Sequence, residues 1–199
     1  MSRYIGTTEL KRYLSIDGTV DDQLLQESIN RAESAIDSFT RRNFLGTPGT
    51  IYASRWEQER VVNNAFWLYE DLFSLNSLTL GDGQVVPITG PGTVGSVWLE
   101  PREGPPYRAI RLRSAYVYTW NTDQDMVISG TLGYSTVVPD DIVQATVLLA
   151  AQNYRAKDRG PTGDVVGNDA LGQQVMPRGL PQDVFDILQK YRSRSGGVV

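Results

Sequence analysis

Apolar residues recur along this chain with two different periods, and the changes of period divide it into three regions. Residues 1 to about 45 follow the 3.6-residue period of amphipathic helices. Residues from about 50 to 137 follow the two-residue alternation of strands, and residues from about 139 to 193 return to the helical period. The pattern therefore predicts an α+β protein in which helical segments precede and follow a β region.

The first region predicts two helices. Thr7 or Thr8 caps a short helix whose apolar face consists of Leu10, Tyr13 and Leu14. The second helix opens with a capping box at Thr19 and Asp22. Its apolar residues alternate spacings of four and three, and they form a narrow seam: Leu25, Ile29, Ala32, Ile36 and Phe39. We expect this seam to face the core.

The middle region predicts a small antiparallel sheet of five to seven short strands. LTLGDGQVV is typical of a hairpin, with Asp82 and Gly83 supplying positive φ angles. AIRLR, YVYTW and MVISGTLGY each predict a further strand. The region also contains all four tryptophans, Trp56, Trp67, Trp98 and Trp120. We interpret them as residues that fill the core of the sheet. The alternative is that they form a platform on which sugars or bases stack.

The third region begins with a helix at Pro139, whose first turn contains Asp140 and Asp141. Its apolar residues extend over more than one face, so the helix needs cover on two sides. A long polar stretch follows from 159 to 180, which predicts a loop that either is disordered when free or orders against a partner. A last short helix runs from Pro181 to about Ser193. Its apolar face consists of Val184, Ile187, Leu188 and Tyr191.

Composition narrows the function classes. The chain has 199 residues, of which 40% are hydrophobic, and a formal net charge of −4. It contains neither cysteine nor histidine, which excludes thiolate nucleophiles, the Ser-His-Asp triad and nearly all zinc sites. An acidic chain is a poor candidate for general nucleic-acid binding. We expect no membrane span and no signal peptide, and therefore synthesis in a cytosol.

Two motifs resemble ligand sites and fail on closer reading. GPGTVG at residues 90–95 has the spacing of a dinucleotide-binding turn. No helix follows it, and no carboxylate stands about 20 residues later, so we interpret it as a loop. Asn121, Asp123 and Asp125 have the first spacings of a calcium loop, but Met126 and Leu132 occupy the positions that need Gly and Glu. We therefore predict no cofactor, no metal site and no catalytic residue.

Four stretches together resemble the head–tail connector, or adaptor, proteins of long-tailed phages and gene transfer agents. Residues 7–44 contain a short helix, DD-x-LL, a long amphipathic helix and a closing Arg-Arg-x-Phe. Residues 72–83 are similar to the family's hairpin. Residues 130–159 are similar to its G-x-x-G-Y strand and following helix, and residues 180–192 to its LP-x-x-V-x-x-I-L-x-x-Y-R ending.

Pattern and resemblance together predict a helical bundle of four main helices with an inserted small antiparallel β module. The helical connector domain is expected at 1–45 and 138–199, and the aromatic-rich β region at 46–137. The resemblance implies a structural virion protein that forms a ring, usually of twelve subunits, beneath the portal. Such a ring extends the DNA channel and joins the capsid to the tail. DNA passes through without specific binding, because an acidic pore repels it.

The implied partners are the portal protein, a stopper or tail-completion protein and further copies of this chain. The C-terminal segment of such adaptors commonly reaches the portal, so we predict these portal-docking residues: Val184, Phe185, Leu188, Tyr191 and Arg192. We predict contacts between subunits at Arg41, Arg42, Tyr154 and Arg155. Three alternatives stay open: a stopper or tail-completion protein, a carbohydrate-binding β module, and an enzyme that uses carboxylates or a hard metal.

Overall fold

A computed structural model of the chain describes residues 4–53, 60–88, 96–113, 118–120, 124–156 and 180–193. The chain divides into two compact units. The helical unit contains the described residues of Met1–Arg41 and Pro139–Val199, and the sheet unit contains those of Arg42–Val138.

The helical unit contains four helices: α1 (Thr7–Leu14), α2 (Asp22–Thr40), α3 (Asp140–Arg155) and α4 (Gln182–Gln189). α2 packs along α3, and both short helices contact α3 as well. The predicted seam of α2 is confirmed, because four of its residues are fully buried: Leu25, Ile29, Ala32 and Ile36. The apolar arc of α3 packs against α2 and the two short helices, while Val143, Val147 and Leu148 remain partly exposed.

The predicted helix caps were wrong. Gly6, not a threonine, is the N-cap of α1, and its backbone N–H donates to Glu9 Oε2 at 2.9 Å. Asp21 is the N-cap of α2, and its side chain makes no capping hydrogen bond. It instead accepts a hydrogen bond from the Tyr154 hydroxyl at 2.6 Å. A tertiary partner thus replaces the local capping box that Thr19 and Asp22 had suggested.

The sheet unit contains seven strands: β1 (Thr47–Ala53), β2 (Val61–Val62), β3 (Ala65–Thr79), β4 (Val85–Val86), β5 (Val97–Glu100), β6 (Tyr107–Leu112) and β7 (Met126–Leu132). All pairings between these seven strands are antiparallel, and the order is β1-β7-β3-β6-β5, with β2 and β4 paired to β3. The first half of β3 pairs with β6 and the second half with β7, in both cases with shifts of register. β3 is therefore the strand that holds the sheet together.

Two tight turns lead into and out of β3. Asn63 and Asn64 both have positive φ, 51° and 63°, as a two-residue hairpin between β2 and β3 requires. The predicted hairpin between β3 and β4 is confirmed. Of its two turn residues only Gly83 has positive φ, at 84°. Asp82 instead accepts a hydrogen bond from the backbone N–H of Gln84 at 2.9 Å, which is its usual role in turns.

One face of the sheet carries its own apolar core. The largest buried side chains of this core are Phe66, Leu72, Leu78, Leu80, Ile110, Leu112 and Met126. Trp120 packs beside Phe66 with ring centroids 5.7 Å apart. Trp67 lies on β3 and is 40% exposed, while Trp56 lies outside the described residues.

The predicted fold class, a helical bundle with a small β module, was wrong. The sheet is the larger structural feature, with seven strands and a β3 of 15 residues, whereas α1 and α4 have only eight residues each. The described structure is therefore dominated by its sheet, and the helices form the smaller part of the fold. Strands at AIRLR and MVISGTLGY are confirmed as β6 and β7. YVYTW is not confirmed, because Tyr118–Trp120 is not a strand and 114–117 lies outside the described residues.

Candidate interaction surfaces

The apolar face of α4 holds this helix on the helical unit. Val184 and Leu188 are fully buried, and Phe185 packs edge to face against Phe39 of α2 with ring centroids 5.5 Å apart. Pro181 is the N-cap, and its carbonyl accepts a hydrogen bond from the Phe185 N–H at 2.8 Å. The exposed side of α4 is polar and consists of Gln182, Asp183, Asp186 and Gln189. Two of the predicted portal-docking residues therefore belong to the interior of this unit.

The residues after α4 are attached to the other helices. The Tyr191 hydroxyl donates to Asp141 Oδ2 at 3.4 Å, and the Ser193 N–H donates to the Thr40 carbonyl at 2.8 Å. Arg192 is exposed, and its guanidinium carbon lies 5.7 Å from the centre of a phenylalanine ring of α2. Among the predicted portal-docking residues, Arg192 is therefore the one most accessible to a partner.

The four residues predicted to contact a neighbouring subunit do not form one patch. Arg41 is the exposed C-cap of α2, in the left-handed region at φ 55°, while Arg42 is half-buried in the sheet unit. Tyr154 and Arg155 end α3, where Tyr154 is buried against Asp21 and Arg155 is exposed. α2 has 19 residues and is about 27 Å long. Arg41 and Tyr154 therefore lie near its opposite ends.

A groove of about 200 Å³ lies between α1, α3 and the start of α4. Its apolar walls are formed by Tyr13, Leu148, Ala151 and Val184. Arg155 and Asp183 supply opposite charges to the lining. The side-chain oxygen Oε1 of Gln152 is buried there and has no hydrogen-bond partner among the described residues. The volume is below the roughly 300–1,000 Å³ of typical ligand pockets, so the groove suits a single side chain better than a cofactor.

A buried ion-pair cluster lies in the sheet unit around Asp71 of β3. The side chain of Asp71 is only 5% exposed, and its oxygens lie 2.8 Å from Arg42 Nη1 and 3.4 Å from Arg108 Nε. Burial raises the pKa of the Asp71 carboxyl, and the two guanidiniums oppose this shift. Burial also lowers the pKa of Arg42. The cluster thus positions charges but offers no open site for a substrate.

The same cluster brings together two of the stretches that carry the resemblance. Arg42 stacks over Tyr134, with 5.1 Å between its guanidinium carbon and the ring centre, and Phe44 packs beside the same ring at 5.4 Å. The Gly133 N–H donates to the Asp71 carbonyl at 2.7 Å. The Arg-Arg-x-Phe and G-x-x-G-Y stretches are therefore explained by packing. Sequence reasoning missed Asp71, whose only signal is an acidic residue in an apolar strand.

The described residues contain no group of three or more acidic side chains placed to hold a metal ion. No helix among them has both the length and the apolar character needed to cross a membrane. The GPGTVG stretch lies outside the described residues, as do Asn121 and Asp123 of the calcium-like spacing. The polar stretch after α3 lies outside them except for Leu180.

Solved structures provide the comparison that carries most weight. A chain in the neck of an empty gene transfer agent particle, computed with C6 symmetry, aligns over 96% of this chain and 90% of that chain. Its TM-score is 0.58 and its sequence identity is 20%. This chain has the fold of a neck protein. The finding agrees, at the level of the fold, with the resemblance drawn from the sequence.

Two further structures support the same conclusion. A chain in the neck of the native particle, computed with C12 symmetry, gives a TM-score of 0.56 at 20% identity and aligns over 94% of this chain and 87% of that chain. A chain in the virion of the native gene transfer agent particle gives a TM-score of 0.58 at 20% identity. The alignment covers 96% of this chain and 90% of that chain. No protein-family model matches the sequence, and no curated protein is significantly similar to it.

Proposed function

We propose that this chain is a structural protein of the head–tail neck of a phage-like particle, where it acts as an adaptor between capsid and tail. The observation that carries the proposal is the shared fold over 96% of this chain and 90% of a chain from a gene transfer agent neck. The alignment includes both the helical unit and the sheet unit. This favours a common role of the two proteins over the alternative that they share a single domain and differ elsewhere. No catalytic activity is part of the proposal.

The adaptor forms a ring of twelve copies beneath the portal and extends the DNA channel. Two of the similar structures are necks computed with C6 and C12 symmetry, and a twelve-fold ring is compatible with both. DNA passes without specific binding, because the chain has a net charge of −4 and repels a polyanion. The partners are the portal protein and a stopper or tail-completion protein.

Among the predicted portal-docking and inter-subunit residues, the exposed ones contact the partner proteins, and the buried ones hold the exposed ones in place. Arg192 faces the portal, supported by Phe185 and Tyr191 and, beneath them, by Val184 and Leu188. Arg41 and Arg155 contact neighbouring subunits, while the buried Tyr154 and the half-buried Arg42 fix the backbone beside them. Charged groups at the rim of an interface act mainly through steering and specificity.

The deciding experiment measures the mass of the purified protein in solution, alone and after mixing with the cognate portal. We expect the mass of the complex to correspond to about twelve copies of this chain bound to each portal ring. Arg192→Glu weakens this binding, whereas the control Arg12→Glu, an exposed charge reversal on α1, leaves it unchanged. A protein that ignores the portal but binds the tail-side component would instead be a stopper or tail-completion protein, and binding to neither would refute the proposal.

A further inference from the structure

The solvent-facing side of β3, β6 and β5 carries a cluster of tryptophans and arginines that the adaptor role leaves unexplained. In the register of these strands, Trp98 of β5 lies opposite Arg111 of β6, and Glu100 lies opposite Ala109. Trp67 of β3 also lies opposite Ala109, so all these residues share one face. We call the surface formed by Trp67, Trp98, Arg102, Arg111 and Arg113 the tryptophan–arginine face.

Cation–π contacts, an ion pair and a hydrogen bond hold the arginine side chains of this face in place. The guanidinium carbons of Arg102 and Arg113 lie 3.7 and 5.0 Å from the centre of the Trp98 ring, which is within cation–π range. Arg111 Nε lies 2.5 Å from Glu100 Oε1, and its Nη1 also donates to the Asn63 carbonyl. Among the described residues, this face thus brings three arginines together with Glu100, and Glu103 directly follows Arg102; Trp67 is 40% exposed on the same face.

A surface of opposite character lies in the helical unit, at the turn between α1 and α2. This acidic loop, residues Asp17–Asp22, contains three aspartates in six residues. Val20 at its tip is 99% exposed. Lys11 fixes the loop, because its Nζ donates to the Gly18 carbonyl at 2.7 Å and pairs with Asp22. Because Asp21 accepts a hydrogen bond from Tyr154 and Asp22 pairs with Lys11, the loop presents the apolar Val20 beside one exposed carboxylate, that of Asp17, on a preorganised backbone.

We propose that the acidic loop of one copy docks on the tryptophan–arginine face of the next copy, an inference that rests on the proposed ring. Val20 then packs against the exposed part of Trp67 and Trp98, and the carboxylate of Asp17 pairs with Arg102. Such an arrangement combines an apolar centre with a polar rim, which is typical of protein interfaces. The two surfaces differ, so the contact is heterologous, and heterologous contacts close into rings when the rotation permits.

A second copy fits the face better than nucleic acid does. Nucleic-acid-binding domains are typically basic overall, whereas this chain is acidic, with 19 basic against 23 acidic residues. If nucleic acid occupied the face, Val20 would remain exposed, whereas docking of a second copy of this chain buries Val20. The chain itself supplies an apolar tip and an exposed carboxylate, that of Asp17, so no further component is needed.

Because the chain has no cysteine, engineered cysteines give an unambiguous test in the full-length protein. Val20→Cys protein is mixed with Glu103→Cys protein, since Glu103 is exposed and directly follows Arg102. We expect the disulfide-linked heterodimer to form about tenfold faster than with a Val85→Cys partner, because docking raises the effective concentration of the two thiols. Val85 is a matched control, since it is 64% exposed on the sheet unit.

Charge reversal then tests which residues make the contact. Asp17→Arg in the Val20→Cys copy, or Arg102→Glu in the Glu103→Cys copy, removes the enhancement, and combining the two reversed copies restores it. Equal rates with the Val85→Cys control would overturn the inference even if rings still assemble on the portal, in which case the proposed function stands. DNA retention that is lost in Arg102→Glu would also overturn it and assign the face to nucleic acid.

Discussion

At the scale of single residues, buried charge is the feature that sequence patterns describe least well. Asp71 follows Glu70 in β3, and the two cannot be told apart by residue type, yet Asp71 is buried with two arginines while Glu70 is exposed. Arg108 reaches Asp71 from β6, which pairs with β3, and Arg42 reaches it from the segment that precedes β1. Long-range partners of this kind have no local sequence signal.

The pH dependence of stability tests the environment of Asp71. Burial raises the pKa of this carboxyl above its usual 3.8. A group whose pKa is raised on folding favours the folded state most when it is protonated, and this contribution is lost as pH rises through the folded pKa. We expect the free energy of unfolding of the wild type, relative to Asp71→Asn, to decrease as pH rises from 3.8 through the raised pKa. Urea unfolding of both proteins across this pH range measures the difference between their free energies of unfolding. A difference that does not change with pH would contradict the expectation.

Tyr154 tests whether a candidate interface residue acts inside its own subunit. Its hydroxyl donates to the carboxylate of Asp21 at 2.6 Å. Removing a hydrogen bond to a charged group costs about 1.5–3 kcal/mol. We expect Tyr154→Phe to lower the free energy of unfolding by such an amount, measured by urea denaturation, while ring formation on the portal is retained. Loss of ring formation without loss of stability would instead place Tyr154 in the subunit contact.

At the scale of elements, the sequence predicts those whose periodicity is regular and unbroken. The seam of α2 and the strands β6 and β7 follow their periods, and all three are present. The sequence does not predict β3 as one long strand, because the pair Glu70–Asp71 and three shifts of register interrupt its alternation. The weight of the sheet in the fold depends on β3, so the same interruption explains why the fold class was wrong.

Gly130 shows how an element constrains its neighbour. It lies in β7 between β1 and β3, where a Cβ atom would overlap the backbone carbonyl of Ser74. We expect Gly130→Ala to destabilise the sheet unit by at least the 1–3 kcal/mol that is typical of overpacking, roughly estimated, because the obstacle is backbone. Thermal unfolding measures the effect. Gly6→Ala is the control, because nothing lies within 4 Å of the added atom and the change removes only the preference for glycine over alanine at this N-cap. An equal shift in both variants would contradict this account.

At the scale of the whole molecule, the chain is organised around two separate apolar cores. One is built from helices that the sequence predicts well, and the other from the sheet whose extent it does not predict. The candidate surfaces follow the same division. α4 was identified from its periodicity, whereas the tryptophan–arginine face requires three strands that are distant in sequence. Which residues share that face is decided by register, and register is set by tertiary pairing.

Two cores predict two unfolding transitions in calorimetry of the isolated chain. Ile29 is fully buried in the helical unit and Ile110 in the sheet unit, so substituting either by alanine removes packing from one core only. Each substitution costs about 2–5 kcal/mol. We therefore expect Ile29→Ala to shift one transition and Ile110→Ala the other, as the proposed connector domain with an inserted β region requires. A single transition that both variants lower equally would mean that the two units unfold as one cooperative domain.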